Sequence, residues 1–213
     1  AYEIKECDWS SDVCSSDLTK YQIDDWVNNG KSLLWSVKVH RSITHFFRFN
    51  NLAVEKFSEF LELFSNLDKF IEYYLFQLPP NAHPSIKDDI EKFFNHFGNK
   101  NKFALEWKNQ KWFTNENIQW AKQLGVTIIS ADAPLVPRDI IYTTKTVYLR
   151  LHGRSDWFEH HYTRKELSNI SQRVKNSQCE RIIAFLNNQN SQDRKSTRLN
   201  SSHIPLSRMP SSA

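Results

Sequence analysis

From Val54 to Phe70, the residues Phe57, Phe60, Leu61, Phe64 and Leu67 recur at steps of three and four. That spacing collects them on one side of an α-helix and predicts an amphipathic helix over the stretch. Ser85 to Phe97 repeats the pattern with Ile86, Ile90, Phe93, Phe94 and Phe97. Three shorter helices are predicted at Thr19 to Asn29, Asn115 to Leu124 and Thr163 to Asn176. Asn29-Gly30 and Gly125 supply stop signals for the first two, and Thr163 with Glu166 forms a capping box at the start of the third. Between the helices lie short runs suited to strands: Ala1 to Lys5, Leu33 to His40, Tyr73 to Leu78, Phe103 to Lys108, Val126 to Asp132, Thr146 to His152 and Arg181 to Asn187. The connection from Asp132 to Thr146 contains proline and carries little helical signal.

Strands alternating with helices imply right-handed crossovers and a mostly parallel sheet. Seven such strands, with irregular sequence at both ends of the chain, predict an α/β fold of the TIM-type (β/α) barrel kind, incomplete because the first strand and last helix are missing. An open doubly wound sheet is the alternative. No Gly-x-Gly-x-x-Gly motif is present, which argues against a dinucleotide site.

Side chains two apart share a face of a strand. Trp35, Val37 and Val39 therefore oppose Ser36, Lys38 and His40. Tyr74, Phe76 and Leu78 oppose Leu75 and Gln77. Phe103, Leu105 and Trp107 oppose Ala104, Glu106 and Lys108, and Leu149 and Leu151 oppose Arg150 and His152. Asp132 continues the face of Ile128 and Ser130, Asn187 that of Ile183 and Phe185, and Glu3 lies opposite Tyr2 and Ile4. One face is apolar; the other turns polar at the carboxyl end. In a parallel barrel those ends converge on one mouth, where barrel enzymes place their sites. Gly153 lets the chain turn close beside that mouth. Structural roles compete with this reading. Lys38 and Glu106 are suited to an ion bridge, Arg150 to tying strands through Glu3 or Glu106, and Gln77 to satisfying amides before Pro79-Pro80.

The net charge of +4 permits an anionic ligand without demanding nucleic acid. No apolar run reaches the roughly 18 residues of a membrane helix, so no membrane partner is expected. Cys7, Cys14 and Cys179 match neither a disulfide framework nor a zinc spacing, and a reduced cytoplasmic setting is the default. Two segments stand apart. CDWSSDVCSSDL (7–18) and DRKSTRLNSSHIPLSRMPSSA (193–213) are Ser-rich, lack periodicity, and resemble translated sequencing-adaptor strings. The expected organisation is a strand fragment at 1–6, a non-native insert at 7–18, a partial barrel at 19–192 and a non-native disordered tail at 193–213.

SVKVHRSITH (36–45), LFQLPP (75–80), LEWKN (105–109), SADAP (130–134), YLRLHGR (148–154) and AFLNN (184–188) together resemble the YecE-like family, also called domain of unknown function 72. The match is collinear from about Trp26 to Asn188. The resemblance implies a TIM-type barrel of unestablished function, with Ala1 to Lys5 similar to the family's second strand and Glu3 to its Glu. By motif position Lys38, Thr44, His45, Gln77, Glu106, Asp132, Arg150, His152, Gly153 and Asn187 match the family pattern. After Glu106 the family commonly has an aromatic residue, then Arg and His; here Lys108 and Asn109 follow the aromatic.

The expected function is an enzyme acting on a small anionic, phosphate-containing substrate or nucleic-acid component. Glu106 and His152 are the candidate general base and acid. Glu3, Lys38, His45, Gln77, Asp132, Arg150, Gly153 and Asn187 are the candidate substrate-binding residues, with Lys38 and Arg150 holding the anion. The alternative is a non-catalytic module binding nucleic acid or another polyanion, with Trp157 and Phe158 stacking on bases. A metal-dependent hydrolase using Glu106, Asp132 and His152 is a third possibility, but no local ligand spacing supports it, and the sequence leaves any cofactor unknown.

Overall fold

The structure, a computed structural model, describes residues 4–7, 20–29, 33–155, 160–177 and 179–187. Glu3, Trp157, Phe158, Cys14 and the 193–213 segment lie outside the described residues. Among the described residues seven strands form one sheet in chain order: β1 (Ile4–Cys7), β2 (Leu34–Lys38), β3 (Ile71–Gln77), β4 (Phe103–Glu106), β5 (Thr127–Asp132), β6 (Thr146–Leu151) and β7 (Arg181–Leu186). Every neighbouring pair is parallel. Among the described residues five α-helices accompany them: α1 (Lys20–Asn29), α2 (Asn51–Leu63), α3 (Lys87–Phe97), α4 (Asn115–Leu124) and α5 (Arg164–Lys175). Expected and observed elements differ mainly at their ends. β1 runs to Cys7 rather than stopping at Lys5. α2 starts three residues before Val54, where the helix was expected to begin, because the Asn50 side chain caps it by accepting from the Ala53 amide. It stops at Leu63, and the chain turns through a short 3₁₀ segment (Asp68–Phe70) into β3. Phe64 and Leu67 remain fully buried, so their spacing reported burial beyond the end of the helix.

The sheet is strongly curled. Ser36 Oγ on β2 lies 2.6 Å from Tyr148 Oη on β6. Four strand spacings across a flat sheet would hold these strands about 19 Å apart. Arg181 on β7 likewise pairs with Glu72 on β3. The concave side encloses Tyr73, Leu75, Ala104, Ile129, Tyr148 and Ile183, with Phe185 packed on them. The convex side carries the larger core. There Phe57 and Phe60 of α2 and Phe93 and Phe94 of α3 cover Tyr74, Phe76, Phe103 and Leu105. Phe57 alone meets six aromatic rings, at centroid distances from 4.8 to 5.9 Å. α5 covers Val147, Leu149 and Leu151 through Ile170 and Val174, and its Thr163–Glu166 capping box is formed.

This arrangement settles which parity faces inward. Gln77, Glu106, Arg150 and Asn187 share the parity of the concave cluster, and so does Lys38. Asp132 does not. Its neighbours by parity are Ile128, which packs in the convex core, and Ser130, which bonds Ile141 of the helix-free 133–145 connection. The expectation that Asp132 joins the inward polar tips is therefore corrected. Both faces of β5 are buried, so its alternation did not reveal its phase.

Candidate functional site

Glu106 closes β4 and is fully buried. A carboxylate in that position costs several kcal/mol unless it is paired and hydrogen-bonded. Here partners arrive from three directions. Arg150 of β6, also fully buried, donates from Nη1 to Oε2 of Glu106. Gln77 of β3 stands level with Glu106 in register and donates from Nε2 to the same oxygen at 3.0 Å. Lys108 Nζ approaches Oε1 to 2.6 Å, and His152 Nε2 lies 3.5 Å from that oxygen. The ladder fixes how these groups meet. Arg150 stands between Ala131 and Phe185 in register, and the methyl side chain of Ala131 separates β4 from β6 with little bulk.

Burial raises the Glu106 pKa, but Arg150, Lys108 and His152 together outweigh it and hold the carboxyl well below its usual range. The His152 pKa is lowered as well, which for an imidazole favours the neutral form. Burial lowers its pKa, Arg150 and Lys108 add to that, and the opposing pull of Glu106 does not restore it. At neutral pH the group therefore holds an ionised carboxylate beside a neutral imidazole. A neutral imidazole has a lone pair that can take a proton, although burial weakens it as a base, and a carboxylate held well below its usual range is a poor base.

The strand-end residues do not all join this group. Lys38 lies close enough to His45 to help lower its pKa, after burial and Arg41. His45 sits in a π-helical turn (Ser42–Phe46) that the hydrophobic pattern did not announce, and its Nδ1 is 2.8 Å from Thr44 Oγ1. Asn187 extends the ladder, donating its amide to the Leu151 carbonyl. Asp132 belongs to a different cluster. Arg154 grips it with Nε at 3.0 Å and Nη2 at 2.7 Å, and reaches Glu166 with Nη1 at 3.0 Å. Tyr162 bonds the same carboxylate at 3.2 Å. Gly153 has φ 101°, a conformation open to glycine, and its amide donates to Tyr162 Oη at 3.1 Å. Gly153 was expected among the substrate-binding residues; in the structure its amide secures the turn. Glu106, Asp132 and His152, the metal-ligand trio considered, are thus not gathered in one place.

Lys108 and Arg154 are the residues the sequence reading passed over. Lys108 shares the parity of Glu106, which was the available signal. Arg154 lies beyond β6, where alternation carries no information. A separate concavity of about 530 Å³ lies outside the sheet between the start of α2 and α3, lined by Asn51, Leu52, Asp89, Lys92, Phe93 and His96 among others.

A family model described as "Protein of unknown function DUF72" matches residues 17–200. Two solved structures share the fold. A DUF72 family protein from Thermotoga maritima superposes with a TM-score of 0.72 at 17% identity, covering 92% of this chain and 84% of that one. One from Enterococcus faecalis gives 0.76 at 19% identity, covering 94% and 88%. No curated protein matches.

Proposed function

This chain belongs to the DUF72 family, and from that premise and the geometry we propose that it binds a small phosphate-containing anion at the carboxyl end of its curled sheet and acts on it by general acid/base chemistry. We also read the curled sheet as a TIM-type barrel, for which its strand order and enclosed concave cluster speak. The observation that carries the functional reading is the convergence of Arg150, Lys108 and a neutral His152 on one buried carboxylate. Arg150 and Lys108 are the anion-binding groups. His152 is the proton-transfer group. Glu106, held ionised, aligns the two cations and His152 rather than serving as the base. Gln77 fixes the carboxylate rotamer. Lys38 and Asn187, at the same strand ends, and His45, in the turn after β2, are secondary contacts to the ligand. The enclosure of the group favours a small ligand over a polymer, because Arg150, Glu106 and His152 are all at most 2% exposed.

The test combines binding and turnover. Methyl phosphate binding is followed by calorimetry at low salt, and hydrolysis is followed across a panel of phosphomonoesters. Lys108→Met is expected to weaken binding at least tenfold. His152→Gln is expected to retain binding and lose turnover by about 10²–10⁴-fold, the usual worth of a positioned proton donor or acceptor. Absence of phosphate binding, or full turnover in His152→Gln, would refute the reading.

A further inference from the structure

Two large apolar side chains stand exposed on turns at the same edge of the sheet as the Glu106 group. Phe46 ends the π-helical turn after β2 and is 63% exposed; Leu135 follows β5 and is 79% exposed. Leu135 has a second unusual property. Its φ is +64°, a left-handed conformation that a leucine adopts only at a conformational cost. Asn or Gly at that position would relieve the strain and remove apolar surface from water. The surroundings hold the residue in place all the same. Gln110 Nε2 donates to the Leu135 carbonyl at 3.0 Å, and Ala133 and Val136 on either side are buried with Ala131, with the half-buried Phe113 packed against them. Gln110 follows Lys108 by two residues, so the tip that presents Leu135 is tied to the segment that presents Lys108 to Glu106.

We propose that Leu135 is a specificity-determining contact. It receives the apolar body of a ligand whose anionic group is held by Arg150 and Lys108, so that the substrate class is an amphipathic phosphate monoester rather than a compact, wholly polar one. This rests on the anion-binding reading above. Strained backbone residues cluster at active sites and ligand clamps, and the anchoring of this tip to the Lys108 segment points to the ligand held at that site.

The experiment compares methyl phosphate with n-butyl phosphate by calorimetry on the parent chain, Leu135→Asn and Leu135→Gly, with melting temperatures of all three. Burying part of three added methylenes is expected to make n-butyl phosphate bind about tenfold tighter than methyl phosphate in the parent. The ratio is expected to fall toward one in both variants, with neither melting below the parent. A ratio near one in the parent, a tenfold ratio preserved in the variants, or a drop in melting temperature showing that Leu135 packs structurally would each overturn the proposal. Failure of methyl phosphate to bind at all would instead strike the anion-binding reading beneath it.

Discussion

Replacing Arg150 with Met tests whether the buried pair with Glu106 holds the carboxyl end of the sheet together. The substitution keeps an unbranched side chain of comparable length and removes the donor to Oε2. Glu106 stays fully buried. Its Oε2 keeps Gln77 at 3.0 Å and its Oε1 keeps Lys108 at 2.6 Å. Breaking a buried pair from one side costs about 3–5 kcal/mol, because the remaining charge is left uncompensated. Lys108 and Gln77 offset part of this, so the lower end, about 3 kcal/mol, is expected, which for a chain of this size corresponds to a melting temperature about 6–12 °C lower. Urea unfolding followed by tryptophan fluorescence, with an unchanged m-value, measures it. The double variant Glu106→Gln/Arg150→Met removes both charges. It is expected to lose less than the sum of the single losses, with a coupling of about 1–3 kcal/mol. The pH dependence has a definite sign. Glu106 has a folded pKa well below its usual 4.5, so its stabilisation is complete above that value and is lost as pH falls through the folded pKa. Glu106→Gln should flatten stability in that acidic range. A loss under about 1 kcal/mol in Arg150→Met, with no coupling in the double variant, would refute a dry, paired carboxylate.

Two further outcomes follow from the packing and the imidazole. His152 is buried with its pKa lowered from 6.5, so it stabilises the fold above pH 6.5 and that contribution is lost as pH falls through its folded pKa. His40 and His45 shift the same way, so His152→Gln should reduce, not abolish, the fall in melting temperature on acidification; an unchanged slope would contradict a neutral buried imidazole. Phe57→Ala empties the centre of the aromatic layer between α2 and the sheet and should cost about 3–5 kcal/mol in urea unfolding, with the far-ultraviolet spectrum retained.

Much of the fold was legible in the chain. The three- and four-residue spacing of phenylalanines marked α2 and α3, Thr163 and Glu166 marked the start of α5, and strands alternating with helices required a parallel sheet, because each of these signals is local. The π-helical turn at Ser42–Phe46 left no such signal, since its irregular hydrogen bonding is not a hydrophobic period. Alternation also placed Gln77, Glu106, Arg150 and His152 on one face correctly, because on β3, β4 and β6 the two faces differ in character near the strand end. On β5 they do not: Ile128 and Ile129 are both buried, one under helices and one inside the curl, so nothing in the run TIISAD told which side Asp132 would take. Only the tertiary structure decided that, and with it the partnership of Asp132 with Arg154. Curvature did the rest. A sequence determines which residues share a face, but how far apart strands β4 and β6 stand, and hence whether Arg150 and Lys108 can reach one carboxylate, is set by the twist and closure of the whole sheet.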